Sequence, residues 1–122
     1  MRIFVILGAV LGGIGVAAGA FGAHALRAQL EPRMLEVFET AARYQMYHAL
    51  ALLGVAWVGY QTQSSAAQVA GWAFAAGILL FSGSLYAMAL TGVRELGAIT
   101  PFGGAAFLAG WAALALAATK LG

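Results

Sequence analysis

The 122-residue chain has no cysteine, so neither disulfides nor thiolate chemistry is open to it. Charge is scarce as well. Only 8% of residues are charged, far below the roughly 25% usual in soluble domains. Six basic and four acidic residues are too few and too scattered to suggest nucleic acid as a partner. The short alternating segments of a transmembrane β-barrel are missing too. Proline occurs twice, at Pro32 and Pro101, and each position reads as the opening of a helix.

What remains is apolar: 63% of the residues are hydrophobic and mean hydropathy is +0.91. Four apolar stretches are long enough, or nearly so, to cross a bilayer core of about 30 Å. They use up most of the chain and leave no room for a soluble domain. The sequence therefore predicts a single all-α membrane domain, a bundle of four transmembrane helices at about 3–23, 32–60, 68–91 and 101–119. An amphipathic extension precedes the second crossing.

The first stretch comes after Arg2 and could be mistaken for a signal peptide ending at Ala23-His24-Ala25. It is longer than the 7–15 apolar residues of a typical signal core, so we read a retained helix. Its glycines recur at close-packing intervals, Gly8 and Gly12, then Gly15 and Gly19. GGIGVAAG also looks like a dinucleotide fingerprint, but the preceding strand and βαβ unit are missing.

Glu31-Pro32 starts the second helix. Its opening half is the polar anomaly of the chain. At helical spacing Glu36, Glu39, Thr40, Arg43, Tyr44, Tyr47 and His48 share about half the circumference. Such a face is costly in a membrane segment unless it meets polar partners. We expect Arg43 to pair with Glu39 one turn earlier, or with Glu36 or Glu95. His48 is expected to point into the bundle, toward the first or third helix. QTQSS (61–65) is short enough to make helices two and three an antiparallel hairpin, flanked by Trp57, Tyr60 and Trp72 at headgroup level. Ser82 and Ser84 can be satisfied by their own helix backbone, whereas the Tyr86 hydroxyl needs a partner. Thr100-Pro101 reads as N-cap and first residue of the last helix. Gly103, Gly104, Ala106 and Gly110 are its expected close-contact positions.

Threaded through a bilayer, this order gathers polar residues toward one membrane face. The set comprises His24, Glu39, Arg43, Tyr44, Gln45, Tyr47, His48, Ser82, Ser84, Tyr86, Arg94, Glu95 and Thr100, a candidate site whose bland alternative is a structural network. No catalytic constellation is evident among them. His24 and His48 match no metal-ligand spacing, and no cofactor or metal is implied.

Four blocks resemble a known family: GAFGAHAL (19–26), FETAARYQMYHALALL (38–53), LLFSGSLYAMALTG (79–92) and GAITPFGGAAFLAGW (97–111). Together they are similar to the small YgdD/YwdK-like inner-membrane family, whose eukaryotic relatives are named only as transmembrane proteins. The resemblance covers nearly the whole chain in order. It implies a four-helix integral membrane protein of unknown function and adds no activity. It also implies that His24, Tyr44, Gln45, Tyr47, His48, Ser82, Ser84, Tyr86, Thr100 and Pro101 are the family's characteristic residues.

Three functional expectations are compatible with these residues. The first is a scaffold or accessory subunit of a membrane complex, with the bilayer, a homo-oligomer or another membrane protein as partner. The second is binding or transport of a small polar solute, proton or ion at the polar cluster. The third, an enzyme acting on a lipid or quinone, lacks its catalytic residues. The expected location is a bacterial inner membrane. Four arginines (27, 33, 43, 94) on the polar side, against Arg2 and Lys120 on the other, predict that side to be cytoplasmic and both termini outside.

Overall fold

The computed structural model describes residues 1–122, with the side chain of Ala23, part of the signal-like Ala23-His24-Ala25, outside the description. Four long helical segments build the molecule. We number them α1 (Arg2–Leu26), α2 (Pro32–Thr62), α3 (Ser65–Thr91) and α4 (Thr100–Ala118). No strand occurs among the described residues. Arg2–Leu26, Ser65–Thr91 and Arg94–Ala118, the last including the turn before α4, are long and apolar enough to cross a membrane. The 31-residue α2 has the length but not the composition, because of its polar first half.

Local chemistry sets most boundaries. Pro32 opens α2 in the first turn, where its missing N–H costs nothing. Gln63 closes it in the left-handed region at φ 51°. Ser64 then caps α3 by accepting from the Ala66 N–H at 3.1 Å. The hairpin is thus tighter than the QTQSS loop suggested, and α3 begins three residues before the expected Gln68. Gly92 ends α3 at φ 75°, a conformation glycine adopts without steric cost. A 3₁₀ turn, Arg94–Ala98, leads into α4.

Two π-helical turns interrupt the α-helices, Ala18–Gly22 in α1 and Ile78–Ser82 in α3. Each widens the helix and shifts the register of the downstream turns.

Packing runs antiparallel. Along α1, a Cβ at Gly8 would lie 2.8 Å from the Ala49 carbonyl, and one at Gly15 would lie 3.4 Å from Met46. At Gly12 and Gly19 it would make ordinary contacts with Ala49 and Ala42. The α3–α4 pair interlocks by rings against glycines, Phe107 filling the space at Gly77 and Phe74 that at Gly110. Gly103 backs directly onto the Phe81 backbone. At Gly104, expected to be a contact position, a Cβ would meet nothing within 4 Å. The main apolar core joins all four helices through Phe4, Leu52, Val55, Phe74 and Phe107.

Candidate functional site

The polar half of α2 does not face the bundle as one surface. Glu36, Arg43, Tyr44 and Tyr47 are exposed, Glu39 and Thr40 are half-buried, and only Gln45 and His48 are buried. Gln45 lay off the predicted polar arc. Two to three residues decide the split, because positions 45, 48, 49 and 52 share the stripe that packs inward at helical spacing.

Gln45 uses both ends of its amide. Its Nε2 donates to the Leu11 carbonyl of α1 at 2.8 Å, and its Oε1 accepts from the Tyr86 hydroxyl of α3 at 2.7 Å. Tyr86 thereby finds the partner its burial demands, and its ring meets Phe38 edge-on at 5.0 Å.

His48 is held as firmly. Trp111 Nε1 of α4 lies 3.1 Å from His48 Nε2, and His48 Nδ1 lies 2.7 Å from the Tyr44 carbonyl. An indole N–H can only donate and a carbonyl can only accept. The imidazole must therefore be the neutral Nδ1–H tautomer, with both ring nitrogens used. Its plane stacks on Phe107 at a centroid distance of 3.5 Å and an angle of 5°. The expected inward orientation is present, but the principal partner is α4, with Phe74 of α3 alongside.

The serines divide. Ser82, fully buried in the π turn, donates across to the Ala41 carbonyl of α2 at 2.8 Å instead of to its own helix. Ser84 does donate to its own Phe81 carbonyl at 3.0 Å, and it also lies 2.6 Å from Thr100 Oγ1. Thr100, expected as the N-cap of α4, makes no such capping bond; Ile99 takes the cap position and the threonine hydroxyl binds α3.

The charged residues stay outside this core. Arg94 pairs with Glu31 at 3.3 Å in an exposed salt bridge. Arg43 is exposed and donates to Thr40 Oγ1 at 3.1 Å, so the expected pairing with Glu39, Glu36 or Glu95 does not occur among the described residues. Solvent, or lipid headgroups, can satisfy a guanidinium that reaches outward, so a carboxylate is not required. Glu95 is exposed as well, and His24 is exposed in the last turn of α1, at a different depth from His48. Among the described residues no three His, Cys, Asp or Glu side chains gather as a metal site.

Depth can be read from helix rise. At 1.5 Å per residue, Leu11 lies about 14 Å along α1 and Trp111 about 16 Å along α4. The Gln45 and His48 side chains therefore reach partners near the middle of the neighbouring helices rather than at one end of the bundle. Sequence reasoning missed Trp111, Phe107 and the carbonyls of Leu11 and Ala41. Trp111 closes the last of the four family-like blocks, but only the fold shows that its N–H is aimed at a histidine.

No described buried side-chain nitrogen or oxygen lacks a partner. These contacts join α2 to each of its three neighbours, so the arrangement can hold helices together. The family model described as "Protein of unknown function (DUF423)" matches residues 18–104. The chain belongs to this family. It is 45% identical over 121 residues to the UPF0382 membrane protein YwdK of Bacillus subtilis, covering 98% of each chain. A UPF0382 membrane protein of Staphylococcus epidermidis is 48% identical over 120 residues, again covering 98% of each. One from Staphylococcus saprophyticus is 46% identical over 121 residues, covering 99% of this chain and all of the relative. No solved structure matches. The protein is thus a small helical membrane protein, and a bilayer is its environment.

Proposed function

We propose that this DUF423 protein is an accessory subunit of a membrane assembly in the bacterial inner membrane, with all four helices crossing the bilayer. One observation carries the reading. Gln45, His48, Ser82 and Ser84 all make contacts between helices, while a row of alanines on α4 faces outward. Gln45, His48 and Ser82 tie α2 to its three neighbours, so each of these buried polar side chains is already engaged within the bundle. On α4, Ala105, Ala109 and Ala112 are exposed at small-residue spacing, which admits close approach by another helix. The partner would be a second membrane protein or another copy of this chain.

The full chain, extracted with its native lipid into polymer nanodiscs, tests this. We expect one membrane protein, or a second copy, to be retained in near-stoichiometric amount and lost on Ala109→Leu while the chain stays folded. A monodisperse monomer recovered alone, or a partner indifferent to that change, overturns the reading.

For orientation, we propose that the Arg27–Arg43 side is cytoplasmic. A carboxy-terminal alkaline-phosphatase fusion should then be active and the matching fluorescent fusion dark. The reverse pattern overturns it.

A further inference from the structure

Between α1 and α2 lies an open cavity of about 350 Å³ lined by Gly15, Gly19, Glu39, Ala42, Arg43 and Met46. Its residues are not mixed at random. Gly15 and Met46 lie toward the bundle's middle, next to Gln45. Gly19 faces Ala42, with Arg43 beside it. Glu39 is one further turn outward on α2. By helix rise, Gly19 sits about 26 Å along α1 from Arg2, close to the end of a hydrocarbon core of about 30 Å. Arg43 therefore stands just inside the boundary, and Glu39 about 6 Å further outward along α2.

We propose that this groove binds an aminophospholipid with a protonated primary amine, such as phosphatidylethanolamine. The argument rests on charge order along the bilayer normal. From the hydrocarbon outward, such a lipid presents an acyl chain, then an anionic phosphate, then an ammonium. The groove presents small and apolar surface, then a guanidinium, then a carboxylate, which is the complementary series. A guanidinium binds phosphate through paired N–H donors, and Arg43 commits only one contact to Thr40. The two charges sit four residues apart, close enough to pair, yet among the described residues they do not. A headgroup bridging phosphate to Arg43 and ammonium to Glu39 would satisfy both. The π turn Ala18–Gly22 widens α1 at the same level and leaves Gly19 against the groove wall. This proposal rests on α1 and α2 lying in the bilayer and not on the accessory-subunit reading.

Delipidated full-length protein in mild detergent, titrated with phosphatidylethanolamine, phosphatidylglycerol or phosphatidylcholine and read by native mass spectrometry, tests it. The wild type should retain phosphatidylethanolamine about tenfold better than phosphatidylglycerol, a difference of about 1.4 kcal/mol. Glu39→Gln should erase that preference, and Arg43→Gln should reduce retention of all three lipids. Both residues are at least partly exposed, so helix content should be unchanged by circular dichroism. The decisive variant is the exchange Glu39→Arg with Arg43→Glu, which keeps the charges and reverses their order. Loss of the preference in the exchange supports the proposal. Equal retention of the lipids by the wild type, or an exchange variant that still prefers phosphatidylethanolamine, overturns it.

Discussion

The inner polar contacts and the charged rim obey opposite rules within one small bundle. Around Gln45 and His48, every polar atom has a partner on another helix or on the backbone, and the geometry is tight. At the rim, the charged groups are exposed apart from the half-buried Glu39, and the ion pair between Arg94 and Glu31 is long and open to its surroundings. The difference reflects what surrounds each group. In hydrocarbon an unpaired donor has no substitute partner and costs several kcal/mol. Near water or headgroups the same donor is satisfied at once, so nothing fixes its geometry. Residues that look most dramatic in the sequence, the charges, are therefore the ones the fold constrains least.

The largest expected effect comes from separating the surfaces that bring the inner contacts together. Gly103→Leu would drive a side chain into the Phe81 backbone, which cannot move aside without displacing α3. We expect loss of folded protein by detergent size exclusion. A folded, monodisperse variant would show that the α3–α4 interface is looser than the contact implies.

Next in size is Gln45→Leu. It strands the Tyr86 hydroxyl and removes the bond to Leu11, at an expected cost of about 1–3 kcal/mol. An unchanged midpoint of unfolding in detergent would break the distinction between inner and outer polar groups. Ser82→Ala removes one neutral bond and leaves the Ala41 carbonyl within its helix ladder, so about 0.6 kcal/mol is expected. Smallest of all are Arg43→Ala and Glu31→Gln at the exposed rim, where about 0.5 kcal/mol or less should be lost, with the Glu31 effect fading further at high salt. A large loss from Arg43→Ala would mean that this guanidinium is buried after all.

Much of the helix plan was legible because its signals are local. Pro32 and the small-polar hairpin mark boundaries through the backbone of the residues concerned. Thr100 shows the limit of local reasoning. Its position suited a cap, but the Ser84 hydroxyl on a neighbouring helix offered a shorter route to satisfaction. The partners of Gln45 and His48 on other helices were illegible for the same reason, being 34 to 63 residues away in sequence. Gly103 and Gly104 cannot be told apart by spacing. Only the register against α3, shifted by a π turn that no residue pattern announces, puts Gly103 against backbone and leaves Gly104 open.

The double use of the Gln45 amide has a consequence for how the chain is made. As the polypeptide leaves the ribosome, α1 and α2 can form a hairpin in which Nε2 already reaches Leu11, but Oε1 has nothing to accept from until Tyr86 emerges. His48 waits longer still, since its Nε2 is capped only when Trp111 in the last helix has been synthesised. Each new helix thus retires one outstanding polar debt of α2. A nascent chain stalled before α4 therefore still carries an imidazole nitrogen without its indole donor, and α2 stays incompletely sealed until the last helix arrives.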